Sequence, residues 1–175
     1  MNEPDASPVV HPADLDEKTL LAGCDERRQR RSGPGGQHRN KVETAVFLTH
    51  RETGVSAAAS ERRSQQANRE VAAGRLRLLL ALEIRRERSA EQVPSPLWKS
   101  RCPKGRIAVS TDHRDFPALL AEALDVLALH GLEPQAAAAQ LGCTASQLVR
   151  LLKQEPEALA RLNTARQQQG QRPLR

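Results

Sequence analysis

A glycine-rich run, Ser32-Gly33-Pro34-Gly35-Gly36-Gln37-His38, interrupts the chain with three glycines and one proline within five residues. Neither a helix nor a strand accommodates such a run, so it predicts a loop. Glycine reaches positive φ without a Cβ clash and lets the backbone pass very close to another molecule. Gln37 lies at the tip, and basic residues flank the loop on both sides, namely Arg27, Arg28, Arg30, Arg31, Arg39 and Lys41. A bare, cation-flanked loop with one amide side chain suits insertion into a narrow anionic site.

The sequence around this loop carries a resemblance to a known family. The loop is bracketed by Arg30-Arg31 and Arg39-Asn40-Lys41, and a second block follows downstream as Glu61-Arg62-Arg63-Ser64-Gln65-Gln66-Ala67-Asn68-Arg69-Glu70. Over residues 15–88 the sequence resembles the GGQ domain of class I peptide chain release factors. The triplet Gly35-Gly36-Gln37 alone would equally suit a flexible loop between two strands. The flanks and the second block make the resemblance specific.

The resemblance implies both a fold and an activity. The fold is α+β, with a small β-sheet packed by a long helix. The activity is ribosome-dependent hydrolysis of the peptidyl-tRNA ester in the peptidyl-transferase centre, with Gly35, Gly36 and Gln37 as the catalytic residues. Negative charge develops on the ester carbonyl oxygen as water attacks, and a preorganised main-chain N–H of Gln37 would stabilise it. The Gln37 side chain would orient or screen the water, so that no general base from the protein is needed and catalysis is mostly positioning.

A second set of loop residues is expected to contact RNA without reacting. Cations that contact phosphates position a loop but do not read sequence. We expect His38 to contact RNA or support the loop instead of acting as a base, and Arg39 replaces a small aliphatic residue common in the family. The expected RNA-binding residues are Arg30, Arg31, Ser32, Gly33, His38, Arg39, Asn40 and Lys41. The expected partners are the ribosomal RNA of the large subunit and peptidyl-tRNA.

The layout of the chain is closest to that of stand-alone, codon-independent ribosome-rescue peptidyl-tRNA hydrolases. Full release factors carry a codon-reading domain before the GGQ domain, whereas the strand that leads into the loop is expected to begin near Cys24. Recognition of a stop codon is therefore not expected. The last residues do not clearly match the long basic tail of rescue hydrolases, so the sensing of a stalled ribosome stays open. So does an alternative function, a non-catalytic RNA- or ribosome-binding factor or a helix-turn-helix regulator that retains the GGQ shape.

Charge is distributed unevenly along the 175 residues, whose formal net charge is +6. Residues 26–106 hold 19 basic and 8 acidic side chains, a net charge of +11, and all the other residues together carry −5. The middle of the chain is therefore the part expected to bind a polyanion. The aromatic residues are limited to Phe47, Trp98 and Phe116. Their scarcity argues against base stacking as the main binding mode and favours helical cores built from aliphatic residues.

The three cysteines, Cys24, Cys102 and Cys143, are far apart in sequence and form no CxxC pair. We therefore expect buried free thiols, with neither a disulfide framework nor a zinc site. No cofactor or metal is expected. No stretch approaches the roughly 20 apolar residues of a membrane span, and the acidic N-terminal residues do not resemble a signal peptide. We expect a cytoplasmic monomer with no membrane partner.

Four segments are predicted along the chain. Residues 1–14 are expected to form a disordered leader, because they combine prolines and acidic residues with few apolar ones. Residues 15–91 form the predicted GGQ peptidyl-tRNA hydrolase domain, and residues 92–114 a Pro-rich linker with Trp98 as a possible docking anchor. The elements predicted up to this point are helices at 16–22, 40–44 and 62–88 and strands at 24–31, 45–50, 55–60 and 107–109.

Residues 115–175 are predicted to be a small all-α helical module. Thr144 with Gln147 three residues later is a capping-box pattern that starts its third helix. Small alanines before the turn and aliphatic residues after it resemble a helix-turn-helix. The second helix of that pair carries only Arg150 and Lys153 as cations, which favours packing or protein docking over contact with nucleic acid. The four predicted helices are 117–130, 134–141, 144–153 and 156–168.

Overall fold

The computed structural model describes residues 10–29 and 44–175. These residues form two compact units, of which the first is Pro12–Glu83 and the second is Ile84–Arg175 with the two residues before Pro12. The first unit holds a three-stranded sheet and a long helix, and the second holds short and medium helices. The α+β class predicted from the sequence is confirmed.

The first unit is a small antiparallel sheet with helices at its start and its end. The strand order is β1-β2-β3. Gly54, at φ +72°, forms the turn between β2 and β3, and its N–H donates to the carbonyl of His50 at 2.8 Å. A residue with a Cβ rarely adopts that backbone conformation. The elements are a 3-10 turn at Pro12–Asp14, α1 at Glu17–Ala22, β1 at Cys24–Gln29, β2 at Ala45–His50, β3 at Ser56–Ala59 and α2 at Gln65–Glu83.

The core of this unit lies between the sheet and α2. β3 alternates exposed and buried residues, and its two buried alanines lie beside Val46 and Leu48 of β2. Leu76 and Leu80 of α2 are fully buried. Burying an aliphatic side chain of this size stabilises a fold by about 1.5–3 kcal/mol. This apolar stripe therefore holds the helix on the sheet.

Helix α2 is shorter than the predicted helix 62–88, and side chains explain both ends. At its start the hydroxyl of Ser64 accepts an N–H from the first turn at 3.0 Å, which caps the helix. After its last residue the chain runs without helical structure over 84–89. There the carboxylate of Asp125 accepts the N–H of Arg86 at 3.0 Å. A partner so distant in sequence cannot be read from hydrophobic spacing.

The second unit consists of helices, and the four predicted for 115–175 are present to within one residue at each end. The two helices that flank residues 141–144 resemble a helix-turn-helix. The turn between them contains Gly142 at φ +67°, and the hydroxyl of Thr144 accepts the N–H of Gln147 at 3.2 Å. Its elements are 3-10 turns at Ala90–Gln92 and Pro103–Gly105, and helices α3 at Pro96–Arg101, α4 at Phe116–Leu129, α5 at Pro134–Gln140, α6 at Ala145–Lys153 and α7 at Pro156–Gln168.

The segment 92–114, predicted as a Pro-rich linker, contains the helix α3 and buries Trp98, the docking anchor expected from the sequence. Trp98 is 1% exposed, and its indole Nε1 donates to the carbonyl of Leu141 at 2.8 Å. The hydroxyl and N–H of Ser95 donate to the carboxylate of Glu122 on α4 at 2.6 and 2.7 Å. A proline at the first helical position of α3 is compatible with a helix, because that position needs no N–H. The prolines of this segment are therefore compatible with local helical structure.

Two smaller predictions also differ from the structure. The strand at 107–109 is not formed, and the N–H of Ala108 donates instead to the carbonyl of Arg101 at 2.8 Å. Of the predicted leader, residues 1–9 lie outside the described residues, whereas Pro12–Asp14 form a 3-10 turn in which Ala13 is buried. The helical turn predicted at 40–44 lies outside the described residues except for its last residue, which is not helical. Within the described ranges, no helix combines the length and the apolarity needed to cross a membrane.

Candidate functional site

The predicted loop leaves and re-enters the sheet at neighbouring positions. β1 ends at Gln29 and β2 begins at Ala45, and these two residues are register partners in the antiparallel ladder. Partners in such a ladder have Cα atoms about 5 Å apart. The described residues on either side of the connection 30–43 therefore lie side by side at one end of the sheet.

All the site residues predicted from the sequence belong to this connection, and all lie outside the described residues. The structure therefore describes the support of the predicted site, which consists of the two strand ends and the side chains that hold them. The predicted residues are Gly35, Gly36 and Gln37 as the catalytic set, and Arg30, Arg31, Ser32, Gly33, His38, Arg39, Asn40 and Lys41 as the RNA-binding set.

A buried asparagine holds the second end of the connection. Asn68, in the first turns of α2, has no exposed surface. Its Nδ2 donates to the carbonyl of Thr44 at 2.7 Å and to the carbonyl of Arg62 at 3.0 Å, and its Oδ1 accepts the N–H of Arg62 at 2.8 Å. The side-chain amide thus joins the residue that precedes β2 to the residue that lies between β3 and α2.

The neighbouring residue on α2 holds the strand that leads into the connection. The guanidinium of Arg69 donates from Nε to Glu26 of β1 at 2.7 Å, and Arg28 donates to the other carboxylate oxygen at 2.9 Å. Burial by itself raises the pKa of Glu26, but the hydrogen bonds from Arg69 and Arg28 outweigh it and hold the pKa below its ordinary value. The carboxylate is therefore ionised at neutral pH, and these contacts weaken only as the pH falls through the lowered pKa.

Exposed cations lie next to the two strand ends. The guanidinium of Arg27 lies 5.2 Å from the ring centroid of Phe47, its register partner on β2. This geometry is within the range of a cation–π contact, which leaves the charge accessible to solvent. Other exposed arginines of the unit near this end are Arg28, Arg62 and Arg63. The basic character predicted for the sequence around the loop therefore includes side chains on the sheet itself.

The opposite end of the same two strands is fixed by Arg51. Its guanidinium donates to the carbonyl of Cys24 at 2.7 Å and also binds the carbonyl of Ala22, and it lies 3.1 Å from the carboxylate of Asp25. His50, which is buried, contacts the hydroxyl of Thr53 through Nδ1 at 3.0 Å. Side-chain contacts to the backbone therefore fix both ends of the β1–β2 pair, by different residues.

A second candidate surface is an open groove along α6 in the helical unit. The groove has a volume of about 620 Å³. The exposed side chains of Arg150 and Lys153 line it, together with Arg175 and the largely buried Arg166, which pairs with Glu133 at 3.4 Å. Cations therefore outnumber carboxylates in the groove. Arg150 and Lys153, the two cations that the sequence places on this helix, lie on one wall of the groove.

The three cysteines are free thiols in the structure. Cys24 is buried, whereas Cys102 and Cys143 are half-buried. Burial raises the pKa of Cys143 to about 11, with a further contribution from Cys102. All three thiols have a raised pKa and are therefore protonated at neutral pH, which makes them poor nucleophiles. The described residues contain no group of three or more His, Cys, Asp or Glu side chains placed to hold a metal ion.

Comparison with known proteins identifies the family. The RF-1 domain model matches residues 21–114. The chain is 37% identical over 137 residues to peptide chain release factor 1 of Xylella fastidiosa (strain 9a5c), an alignment that covers 67% of this chain and 35% of that protein. It is 42% identical over 83 residues to peptide chain release factor 2 of Variovorax paradoxus (strain S110), with 47% and 20% covered. No solved structure matches the chain.

The family model covers more than half of the chain, and the protein belongs to the RF-1 domain family, the GGQ-containing domain of class I release factors. The chain spans about a third of the length of the first relative and a fifth of the second. The resemblance predicted from the loop and the second block is thereby confirmed. Sequence reasoning assigned no role to Asn68 or Glu26, although Asn68 lies in the second block that carried the resemblance.

Proposed function

We propose that this chain hydrolyses the ester of peptidyl-tRNA on the ribosome, without requiring a stop codon, and so releases nascent chains from stalled ribosomes. The observation that carries the proposal is the sequence Gly35-Gly36-Gln37 within an RF-1 domain, on a connection between two register-paired strand ends. Such a connection presents a loop from a rigid base. Precise placement of the loop backbone is what the proposed chemistry requires.

The proposed chemistry needs few groups from the protein. Water attacks the ester carbonyl carbon, and the main-chain N–H of Gln37 stabilises the negative charge that develops on the carbonyl oxygen. The side-chain amide of Gln37 orients the water or limits its access. Gly35 and Gly36 set the backbone twist that aims the N–H, and the absence of Cβ atoms allows close approach to RNA. The cations that flank the loop contact phosphates and set its depth.

Residues 12–23, which precede β1, are part of the first unit. Ala13 and Leu20 are buried in the first unit, and the carbonyl of Leu15 accepts a hydrogen bond from Arg77 of α2 at 2.7 Å. This part of the chain therefore supports the sheet and the helix. We propose that release depends on the loop and not on the codon in the A site.

We predict that the purified chain releases peptide from ribosomes whose A site is empty or holds a sense codon, at rates similar to those at a stop codon. Release is measured from ribosomes loaded with labelled peptidyl-tRNA, with and without a stop codon in the A site. Free peptidyl-tRNA without ribosomes is the control and should not be hydrolysed. Release confined to stop codons would contradict the rescue function, and no release on any ribosomal substrate would contradict the catalytic one.

We also predict that ribosome binding weakens as the salt concentration rises, because the residues around the loop bind phosphates. Replacing Arg30 or Arg39 with alanine should reduce the slope of log affinity against log salt by about 1 for each lost phosphate contact. Arg114→Ala is the control, because Arg114 is exposed but lies outside the basic stretch 26–106. Binding that does not respond to salt would mean that this stretch is only a solvated surface.

A second candidate function is ribosome or RNA binding without catalysis. It is favoured by the groove along α6, where Arg150 and Lys153 lie on one wall and Arg175 also contributes. The two functions differ in the release assay. A wild-type chain that binds ribosomes tightly but releases no peptide would support binding alone, and replacing Arg150 and Lys153 together should then weaken that binding.

A further inference from the structure

We propose that Asn68 is a positioning residue for the Gly35–Gln37 segment, acting through the carbonyl of Thr44. This inference rests on the proposed hydrolytic function. Thr44 is the last residue before β2 and the first described residue after the loop. A hydrogen bond of 2.7 Å from Asn68 fixes that carbonyl, although the two residues are 24 positions apart in sequence. The contact therefore sets where the chain leaves the loop and enters the sheet.

The hydrogen-bond partners of Asn68 require an amide side chain at this position. Both of its N–H groups are used, one by Thr44 and one by the carbonyl of Arg62, and its oxygen accepts the N–H of Arg62. A side chain that binds the N–H and the C=O of one residue and also donates to a third group must carry a donor pair and an acceptor. Among side chains of this length only asparagine provides both. The absence of exposed surface at Asn68 means that water cannot replace these contacts at low cost.

Adjacent residues of α2 hold the two arms of the connection. Asn68 binds the backbone at the start of β2, and Arg69 binds Glu26 on β1. The first turns of α2 therefore fix the incoming and the outgoing strand relative to each other. A loop whose two ends are fixed has fewer conformations in which to place its tip. Since a displacement of about 1 Å can cost about 100-fold in rate, the anchoring of the loop ends should act on catalysis.

The opposite end of the same strands provides a matched control. Arg51 also binds backbone carbonyls, those of Ala22 and Cys24, but it does so at the end of β1 and β2 that is distant from the loop. If Asn68 only stabilises the unit, then Asn68→Ala and Arg51→Ala should affect release in proportion to their effects on the melting temperature. If Asn68 positions the loop, the two variants should differ in release rate even at equal folded fraction.

The experiment compares Asn68→Ala, Asn68→Asp and Arg51→Ala in the full chain. Each variant is assayed for release at a temperature where circular dichroism shows that it is folded, and the saturated rate and the half-saturating concentration are measured separately. We expect both Asn68 variants to lower the saturated rate about 10- to 100-fold with a nearly unchanged half-saturating concentration, because the phosphate-binding cations remain. Aspartate keeps the acceptor for Arg62 but cannot donate to Thr44, so it should not restore the rate. Arg51→Ala should keep the saturated rate within about twofold.

The outcomes separate this inference from the function on which it rests. If the wild-type chain releases no peptide, the proposed function is wrong and the inference is wrong with it. If the wild type releases peptide and either folded Asn68 variant does so at the wild-type rate, only the inference is overturned. An Asn68→Ala chain that folds at no temperature would also overturn it, because the residue would then hold the unit together instead of positioning the loop.

Discussion

Replacing Gly36 with alanine is expected to lower the saturated rate of peptidyl-tRNA release by about 100-fold or more, which is the size of effect seen when one oxyanion-stabilising donor is lost. The added Cβ would restrict the backbone dihedrals before Gln37 and would occupy space where the loop approaches RNA. Both effects misplace the N–H that we propose stabilises the carbonyl oxygen. The measurement is the saturated release rate on ribosomes, together with the melting temperature, which we expect to change little.

The chain offers a matched glycine as the control for this prediction. Gly74 lies on the exposed side of α2, and a Cβ added there would meet no atom within 4 Å. Gly74→Ala should therefore stabilise the helix by about 0.5–1 kcal/mol and leave release unchanged. A Gly36→Ala variant with the wild-type release rate would show that the loop does not need a close backbone approach. Loss of release in both variants would indicate a general effect on the unit.

The helices of 115–175 could be predicted because their boundaries are set by local residues. Proline opens two of them, Gly142 at positive φ follows α5, and the hydroxyl of Thr144 caps α6. These signals act over a few residues and are visible in the sequence. The β2–β3 hairpin is similarly local, because Gly54 supplies its turn. Where residues that are close in sequence decide the local structure, the predicted and observed elements agree.

Local signals could not predict the end of α2, the packing of residues 92–114 or the side-chain contacts that support the loop. Each depends on a polar side chain that meets a partner far away in sequence, as Asn68 meets Thr44 and Asp125 meets Arg88. Such pairs leave no periodic pattern. The sequence did contain one signal, since Glu122 and Asp125 are carboxylates within an otherwise apolar helix. Buried carboxylates need donors, and the arginines at 85–88 are the ones that the fold brings to Asp125.

Asp125 binds three residues of the segment after α2 within the helical unit. Its side chain has no exposed surface and accepts from Nε of Arg88 at 2.8 Å, from the N–H of Arg86 at 3.0 Å and from Nη1 of Arg85 at 3.4 Å. Burial lowers the pKa of Arg85, and the charge of Asp125 opposes that shift. Removing the carboxylate therefore leaves buried donors and partly buried cations without their common acceptor.

We expect Asp125→Ala to lower the free energy of unfolding of the helical unit by about 3–5 kcal/mol, the cost of removing one partner of a buried ion pair. Trp98, the single tryptophan of the chain, is buried in this unit, so its fluorescence during urea unfolding reports on this unit. Asp112→Ala is the control, because Asp112 is an exposed aspartate of the same unit, and its effect should stay within about 0.5 kcal/mol. Asp125→Asn should fall between the two, because asparagine still accepts the N–H of Arg86 but carries no charge for Arg88. If Asp125→Ala unfolds at the same urea concentration as the wild type, the segment after α2 is not held by this carboxylate.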